Sequence, residues 1–214
     1  VGKSTLFNCL SQSKAQSENY PFCTIDPNVS IVNVPDKRLD TLNKLISPEK
    51  LIPTTVKIVD IAGLVKGASK GEGLGNKFLS NIRETDSIIH VLRCFDDPNI
   101  VHVDGKINPL SDREVVEYEL IMKDIEIVDK RLDKIKKTLR SGGNEAKKEI
   151  EILERVKLSL ERTKVNLDDY SEDEFKDFIK PLELISFKPI LYVCNVGESD
   201  VVDGNDYVEM VKKE

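Results

Sequence analysis

The first five residues, Val1-Gly2-Lys3-Ser4-Thr5, carry the groups that phosphate binding requires. They match the end of the phosphate-binding loop pattern G-x-x-x-x-G-K-[ST], and an amphipathic segment from Leu6 follows them. Backbone N–H groups at the start of such a helix attract anions, Lys3 can contact β- and γ-phosphates, and the Ser4 hydroxyl can ligate Mg²⁺. These residues predict a nucleoside triphosphate site, although the same short motif also caps ordinary helices.

A β-branched segment, 56–60, ends in an acidic residue and leads into a glycine-rich stretch. Asp60 and Gly63 form a D-x-x-G motif. In phosphate-binding-loop proteins this Asp holds Mg²⁺ through water, while the glycine N–H donates to the γ-phosphate. Residues 64–76 are rich in glycine, which favours a segment that becomes ordered when the γ-phosphate is bound. A flexible surface loop is the alternative.

The loop between the first helix and the strand predicted at 29–34 offers a second metal ligand. It contains Pro21 and Pro27, has no periodicity and lies where switch I lies in GTPase-like folds. Thr24 is its natural Mg²⁺ ligand, unless its hydroxyl only closes a turn before Pro27.

The choice of base is predicted from the end of an apolar strand at 189–194, where GTPases carry N-K-x-D. Asn195 is present, but Val196 replaces the lysine and Glu198 the aspartate. Adenine lacks the guanine donors that the aspartate binds, whereas the Asn195 amide can pair with its 6-amino group and N7. The motif predicts relaxed guanine selectivity, with ATP bound at least as well as GTP.

The residue after D-x-x-G constrains the rate of hydrolysis. Ras-type enzymes have a water-orienting Gln there, but this chain has Leu64, which has no donor or acceptor. Slow intrinsic turnover is therefore expected unless another group, a monovalent cation or a partner completes the site. His90 lies within an apolar strand, 87–93, and is expected to be a core or sheet-face residue.

Composition limits the classes of protein to consider. The 214 residues carry 32 basic and 38 acidic side chains, a net charge of −6, which argues against a surface dominated by nucleic-acid binding. No apolar run approaches the length of a membrane span, and no signal peptide is expected. The four cysteines show no metal-ligand spacing and are expected to be reduced, mostly buried thiols of a cytoplasmic protein, with redox sensing as the alternative.

The apolar spacing changes to about 3.5 residues between 112 and 165, which is typical of a coiled coil. Successive apolar residues are three or four positions apart, and the pattern is broken at 141–144. These residues are Ile121, Ile125, Val128, Leu132, Ile135, Leu139, Ile150, Leu153, Val156 and Leu160. The pattern predicts an antiparallel helical hairpin whose first arm is about 40 Å long. It is interpreted as a partner-binding lever, or alternatively as a purely structural hairpin.

The predicted fold class is α/β, with a mostly parallel sheet, one antiparallel edge and flanking helices. Strands are expected at 29–34, 55–60, 87–93 and 189–194, and the first strand of the fold is expected to be missing from this chain. Asp36 should cap a helix ending near Ile46, and the capping box Ser171–Glu174 should open another. The predicted domains are 1–111 and 166–214, both nucleotide-binding, and the hairpin 112–165.

These motifs together resemble the Obg-like ATPases, called YchF in bacteria. The resemblance rests on residues 2–8, 19–25 and 60–79 and on Asn195 with Glu198. It implies a Ras/Obg-like P-loop ATPase that interacts with ribosomes and is linked to stress and redox responses, and it implies a further C-terminal TGS domain. His102 matches a histidine of the family that is involved in catalysis, with a structural loop histidine as the alternative.

The leading hypothesis is a cytoplasmic, monomeric, Mg²⁺-dependent ATP-hydrolysing switch that does not act at membranes. Val1, Gly2, Lys3, Ser4, Thr5, Asp60, Gly63, Asn195, Val196 and Glu198 are the predicted nucleotide-binding residues. Ser4 and Thr24 are the predicted metal ligands. Ribosomes or ribosomal subunits are the expected partners, with RNA contact through the hairpin or the TGS domain. A binding module with incidental turnover and a GTPase with a degenerate base motif remain alternatives.

Overall fold

The computed structural model describes residues 1–11, 28–61, 74–100, 105–138 and 143–214, with only the backbone described at 74–78 and 138. The chain divides into two compact units. One comprises Gly2–Ala62, and the other comprises Val1 together with Gly63–Glu214.

In the part that the structure describes, the smaller unit contains two helices and an antiparallel pair of strands. Its elements are α1 (Lys3–Ser11), β1 (Asn28–Asn33), α2 (Lys37–Ile46) and β2 (Thr55–Asp60). The register pairs Asn28 with Asp60 and Asn33 with Thr55. The strands predicted at 29–34 and 55–60 therefore pair antiparallel with each other, and β2 matches its predicted bounds.

Helix α2 is capped at both ends by groups of its own segment. The Asp36 side chain accepts a hydrogen bond from the Arg38 N–H at 2.9 Å, which is the predicted N-cap. At the other end, Ser47 adopts a left-handed conformation and its N–H donates to the Asn43 carbonyl at 2.9 Å. This closure satisfies one of the carbonyls left at a helix end.

The larger unit contains a parallel strand pair and a set of helices. Its main elements are α3 (Leu74–Arg83), β3 (Ile88–Arg93), α4 (Pro109–Thr138), α5 (Gly143–Glu161), α6 (Glu172–Glu174), β4 (Ile190–Asn195) and α7 (Asp206–Lys212). Strands β3 and β4 pair in register from Ile88 with Ile190 to Arg93 with Asn195. Across the described residues the strands thus form two separate two-stranded sheets, one antiparallel and one parallel.

Helices α4 and α5 form the predicted hairpin. Most of the buried apolar residues of both helices fall on the predicted seam, including Val128 on α4 and Val156 on α5, each 0% exposed. Arg131 pairs with Glu149 at 2.6 Å and Asp129 with Lys157 at 2.7 Å, which fits two antiparallel arms. At 1.5 Å per residue, the 30-residue α4 is about 45 Å long.

Residues 165–187 pack against this hairpin, which the apolar spacing did not predict. Tyr170, Ile179 and Leu184 are at most 9% exposed and belong to the same core as the helix seam. Ile152 of α5 lies outside the predicted seam, yet it is also in this core and only 1% exposed. The hairpin is therefore covered on a second face.

The capping box Ser171–Glu174 is present, but the helix that it opens is short. Glu174 N–H donates to Ser171 Oγ at 3.2 Å, and Ser171 N–H donates to Glu174 Oε2 at 3.0 Å. After α6 the chain forms one π-helical turn, Phe175–Ile179, and a 3₁₀ turn, Lys180–Leu182. The predicted helix is therefore present, but it changes from α to π and then to 3₁₀ geometry near Pro181, which has no N–H to continue an α-helix.

A buried carboxylate joins α4 to the segment that precedes β4. Asp124 is 0% exposed and accepts hydrogen bonds from the N–H groups of Ile185 at 3.0 Å and Ser186 at 2.6 Å. Lys188 then donates to the Arg83 carbonyl at 2.6 Å and to the Thr85 carbonyl, at the end of α3. These contacts fix the entry of the chain into β4.

Within the described parts of the chain, no helix combines the length and apolar character needed to cross a bilayer.

Candidate nucleotide-binding site

The start of α1 has the geometry expected of the end of a phosphate-binding loop. Gly2 has a φ of +89°, a backbone conformation that residues other than glycine rarely adopt. Helix α1 begins at the next residue. Leu6 N–H donates to the Gly2 carbonyl at 2.9 Å, and Phe7, which is 5% exposed, anchors the helix in its unit. The first N–H groups of an α-helix have no partner within it, so they are free to point at an anion.

Lys3 and Asp60 lie in direct contact, although 57 positions separate them in the sequence. The Lys3 ammonium forms an ion pair with Asp60 Oδ1 and also donates to Ser4 Oγ at 3.4 Å. The Asp60 side chain is 4% exposed, and that of Lys3 is 37% exposed. The smaller unit thus brings together a cation, a hydroxyl and a carboxylate at the end of β2, which are the groups that Mg²⁺-triphosphate binding uses.

The predicted base-binding residues follow β4 in the larger unit. Asn195 is the last residue of the strand, and its side-chain amide donates to the Val1 carbonyl at 3.3 Å. Val196 is half-buried, and Glu198 is exposed at the start of a short 3₁₀ turn, Glu198–Asp200. Asn195 lies at the carboxyl end of a parallel strand, where ligands of α/β proteins bind.

The chain matches a family model described as "50S ribosome-binding GTPase" over residues 1–153. It is 50% identical over 215 residues to the ribosome-binding ATPase YchF of Bacillus subtilis, covering 100% of this chain and 59% of that protein. The YchF of Escherichia coli O157:H7 is 46% identical over 214 residues, with 100% and 58% covered. The chain belongs to the 50S ribosome-binding GTPase family.

A solved structure supports this assignment to the family and its P-loop fold. The structure of the Schizosaccharomyces pombe YchF GTPase superposes with a TM-score of 0.79 at 40% identity, covering 100% of this chain and 58% of that one. The resemblance to YchF proteins and the P-loop NTPase fold are therefore confirmed. The chain spans slightly under three fifths of the length of these relatives.

Several predicted site residues lie outside the described residues. They are Thr24, Gly63, Leu64 and His102. Their roles in binding Mg²⁺, sensing the γ-phosphate and hydrolysis stay predictions. Val1 and Thr5 are described and exposed, next to Gly2 and Ser4.

His90 lies on the sheet face that packs against α4, as its strand pattern predicted. Its ring is 5.7 Å from that of Tyr192, whose hydroxyl donates to Glu117 Oε1 at 2.5 Å. Burial lowers the pKa of His90, because the charged ring is poorly solvated there, and burial together with the Glu117 bond raises the pKa of Tyr192 to about 12. These groups stabilise the packing between the sheet and α4.

The cysteines differ in their surroundings. Cys94 is buried, Cys194 is half-buried and Cys9 is exposed on α1, so the prediction of mostly buried thiols was wrong for Cys9. Burial and the neighbouring Cys194 raise the pKa of Cys94 to about 12, which makes its thiol a poor nucleophile. Cys23 lies outside the described residues.

Sequence reasoning missed Arg93, the last residue of β3. It is 5% exposed although it carries a permanent charge, and it pairs in register with Asn195. A basic residue that ends an otherwise apolar strand was the only signal in the sequence.

Proposed function

We propose that the chain is the nucleotide-binding part of an Mg²⁺-dependent, ATP-hydrolysing switch protein that works with the ribosome. The contact of Lys3 with Asp60 beside Ser4 carries this proposal. The motif at Asn195 and the names of the relatives, ribosome-binding ATPases, support the nucleotide and the partner.

Lys3 is placed to exchange one anion for another. Its ammonium is neutralised by Asp60, and a bound triphosphate would offer it the β- and γ-phosphate oxygens instead. Asp60 would then be released from the ion pair and could turn its carboxylate to a water on the metal. The buried position of Asp60 strengthens both interactions, since screening by solvent is weak there.

The oxygen groups near Lys3 fit Mg²⁺. Ser4 Oγ and the Asp60 carboxylate are hard oxygen ligands, and Thr24 is the proposed second hydroxyl. Among the described residues there is no cluster of three or more His, Cys, Asp or Glu side chains suited to a metal. Mg²⁺ is normally held by one or two protein oxygens together with phosphates and water, so a sparse ligand set is in keeping with it. When bound, the metal would neutralise charge on the phosphates.

The base is proposed to bind at the end of β4. The Asn195 amide can pair with adenine, while Val196 and Glu198 lack the contacts that make GTPases select guanine. We therefore propose ATP as the main nucleotide and GTP as the secondary one. Hydrolysis is slow because Leu64 cannot orient water, and His102 is the proposed catalytic residue.

The protein is proposed to act as a cytoplasmic monomer on ribosomes or their subunits and to be linked to stress. The α4–α5 hairpin is the proposed partner-contacting arm. It is proposed to be a coiled coil at 112–165 between the nucleotide-binding segments 1–111 and 166–214. RNA contact could come from this arm or from a TGS domain.

A GTPase is the second candidate, because the matching family model and the S. pombe relative are both named as GTPases. Calorimetric titration of the full-length protein with MgATP and MgGTP distinguishes the two. ATP binding at least as tightly as GTP supports the proposal. Much tighter GTP binding favours the second candidate, and no heat with either nucleotide contradicts both.

A further inference from the structure

Arg93 places a buried guanidinium among backbone carbonyls. It donates to the carbonyl oxygens of Phe95 at 3.1 Å, Asp97 at 3.2 Å and Ile100 at 3.0 Å. Its Cζ atom also lies 4.9 Å from the centre of the Phe95 ring. One side chain thus contacts the loop after β3 at its beginning, middle and end.

This contact pattern fixes the path of the loop 94–100. Arg93 provides donors for three carbonyls that a loop cannot pair through regular secondary structure. Bonds from a charged donor are generally stronger than neutral ones, and the planar fork of Arg holds its acceptors in a fixed arrangement. Asp97 adds a local bond, accepting from the Asn99 N–H at 2.9 Å.

The loop begins beside the proposed base-binding residue. Cys94 N–H donates to the Asn195 carbonyl at 2.7 Å, one position beyond the register pair of Arg93 with Asn195. On the other side, Asn205 donates to the Cys94 carbonyl at 2.8 Å. The loop and Asn195 therefore leave the same edge of the parallel sheet, side by side.

We infer that Arg93 is a positioning residue of the nucleotide site: it holds the loop 94–100 beside Asn195 in the conformation that binds the nucleoside end of the nucleotide. Three of its five N–H donors bind the loop, so it acts through the loop and Asn195. This inference rests on the proposed function. It predicts that loss of Arg93 weakens contacts to the nucleoside and spares those to the phosphates.

The test compares two ligands on the full-length protein and its Arg93→Met variant. Met keeps a long apolar stem but has no donor. MgATP probes the whole site, and Mg²⁺ with inorganic triphosphate probes the phosphate end alone. Calorimetry should show that Arg93→Met weakens ATP binding by about tenfold or more, the effect of losing one or two hydrogen bonds, while triphosphate binding changes by less than about twofold.

Two further variants keep the test decisive. Arg93→Lys keeps the charge but cannot present a planar fork to three carbonyls, so it should restore ATP affinity only in part. Arg162→Met, at an exposed position on the turn after α5, is the matched control and should bind both ligands like the wild type. Thermal unfolding of each variant shows whether it is folded, and Arg93→Lys takes over as the test variant if Arg93→Met is not.

The outcomes separate this inference from the proposed function. It is overturned if the folded Arg93 variants bind ATP like the wild type, or if ATP and triphosphate weaken equally. If the wild-type protein binds neither ligand, the proposed function fails and the inference fails with it. Selective loss of ATP binding supports both.

Discussion

Lys3 and Asp60 neutralise each other, so the proposed nucleotide would have to compete with a carboxylate of the protein for the lysine. The competition would be favourable because a triphosphate with Mg²⁺ offers several oxygens where Asp60 offers one carboxylate. Ser4, within 3.4 Å of the Lys3 ammonium, is close enough to join the same set of contacts. The affinity for ATP should therefore depend strongly on Lys3.

The variant Lys3→Met should lower the affinity for MgATP by about a hundredfold, or ~2.7 kcal/mol, because it removes charge-assisted bonds to phosphate. It also leaves Asp60 buried without its partner. Calorimetric titration measures the effect. Lys37→Met, at an exposed position that begins α2, is the matched control and should bind normally. Equal affinities of Lys3→Met and wild type would show that phosphate does not bind at Lys3.

The double variant Val196→Lys with Glu198→Asp should raise the ratio of GTP to ATP affinity by about tenfold, since one bidentate base contact discriminates by about 1–3 kcal/mol. Competition between the two nucleotides measures this ratio. Val202→Lys adds the same charge at a position that is 90% exposed and should leave the ratio unchanged. If the double variant also leaves it unchanged, the base does not bind beside Asn195.

At the scale of elements, Asp124 links α4 to the residues that lead into β4. The variant Asp124→Ala leaves the N–H groups of Ile185 and Ser186 without their acceptor. The free energy of unfolding should fall by about 2–3 kcal/mol, the usual cost of unsatisfied buried donors. Urea unfolding measures it. Asp133→Ala, exposed on the same helix, gains the same helix propensity and should lose no stability. Equal midpoints for both variants would contradict the role given to Asp124.

The packing of the β3–β4 sheet on α4 should depend on pH through His90. Burial lowers the pKa of His90 below its ordinary value of 6.5, against the opposing influence of Glu117 and Asp112 and with the help of Arg113. The unfolded state therefore binds a proton at His90 more readily than the folded state does. The contribution of neutral His90 to stability is fully present above pH 6.5 and is lost as the pH falls below that value.

The variant His90→Gln cannot take up this proton. Its stability relative to the wild type should therefore rise as the pH is lowered from about 7.5 to about 5.5. Denaturant midpoints across this range test the difference. Parallel curves for the two proteins would mean that the surroundings of His90 do not disfavour its charge.

For the whole molecule, the proposed slow intrinsic turnover and the proposed ribosomal partner are linked. Leu64 cannot orient the attacking water, so a partner that completes the site should accelerate hydrolysis. Single-turnover hydrolysis of ATP by the full-length protein should speed up severalfold when ribosomal subunits are added. The Lys3→Met variant, mixed with the same subunits, measures any hydrolysis by contaminants. Equal rates with and without subunits would favour a binding module with incidental turnover.

Local patterns predicted the elements well, whereas long-range contacts outside the motifs did not show in the sequence. The Asp36 cap, strand β2 and the apolar seam of α4 and α5 all depend on nearby residues, and they match the structure. Asp124 bonds to residues 61 and 62 positions away, and the packing of residues 165–187 on the hairpin has no periodic signature. Neither could be inferred from spacing.

The site was predictable to the extent that motifs encode it. Two motifs assign Lys3 and Asp60 to the same predicted ligand, Mg²⁺-triphosphate, and the structure places their side chains in contact. Arg93 belongs to no motif, and its importance appears only when its three carbonyl acceptors are known.

The packing of residues 165–187 on the hairpin limits which segment of this protein can be exchanged with that of a relative. A chimera that exchanges only residues 112–165 would keep the native Tyr170 and Ile179 but replace the helices on which they pack. Mismatched apolar side chains would then face water, and the hybrid would be prone to aggregate. The transplantable piece should instead extend through Phe187, so that the crossover falls just before β4.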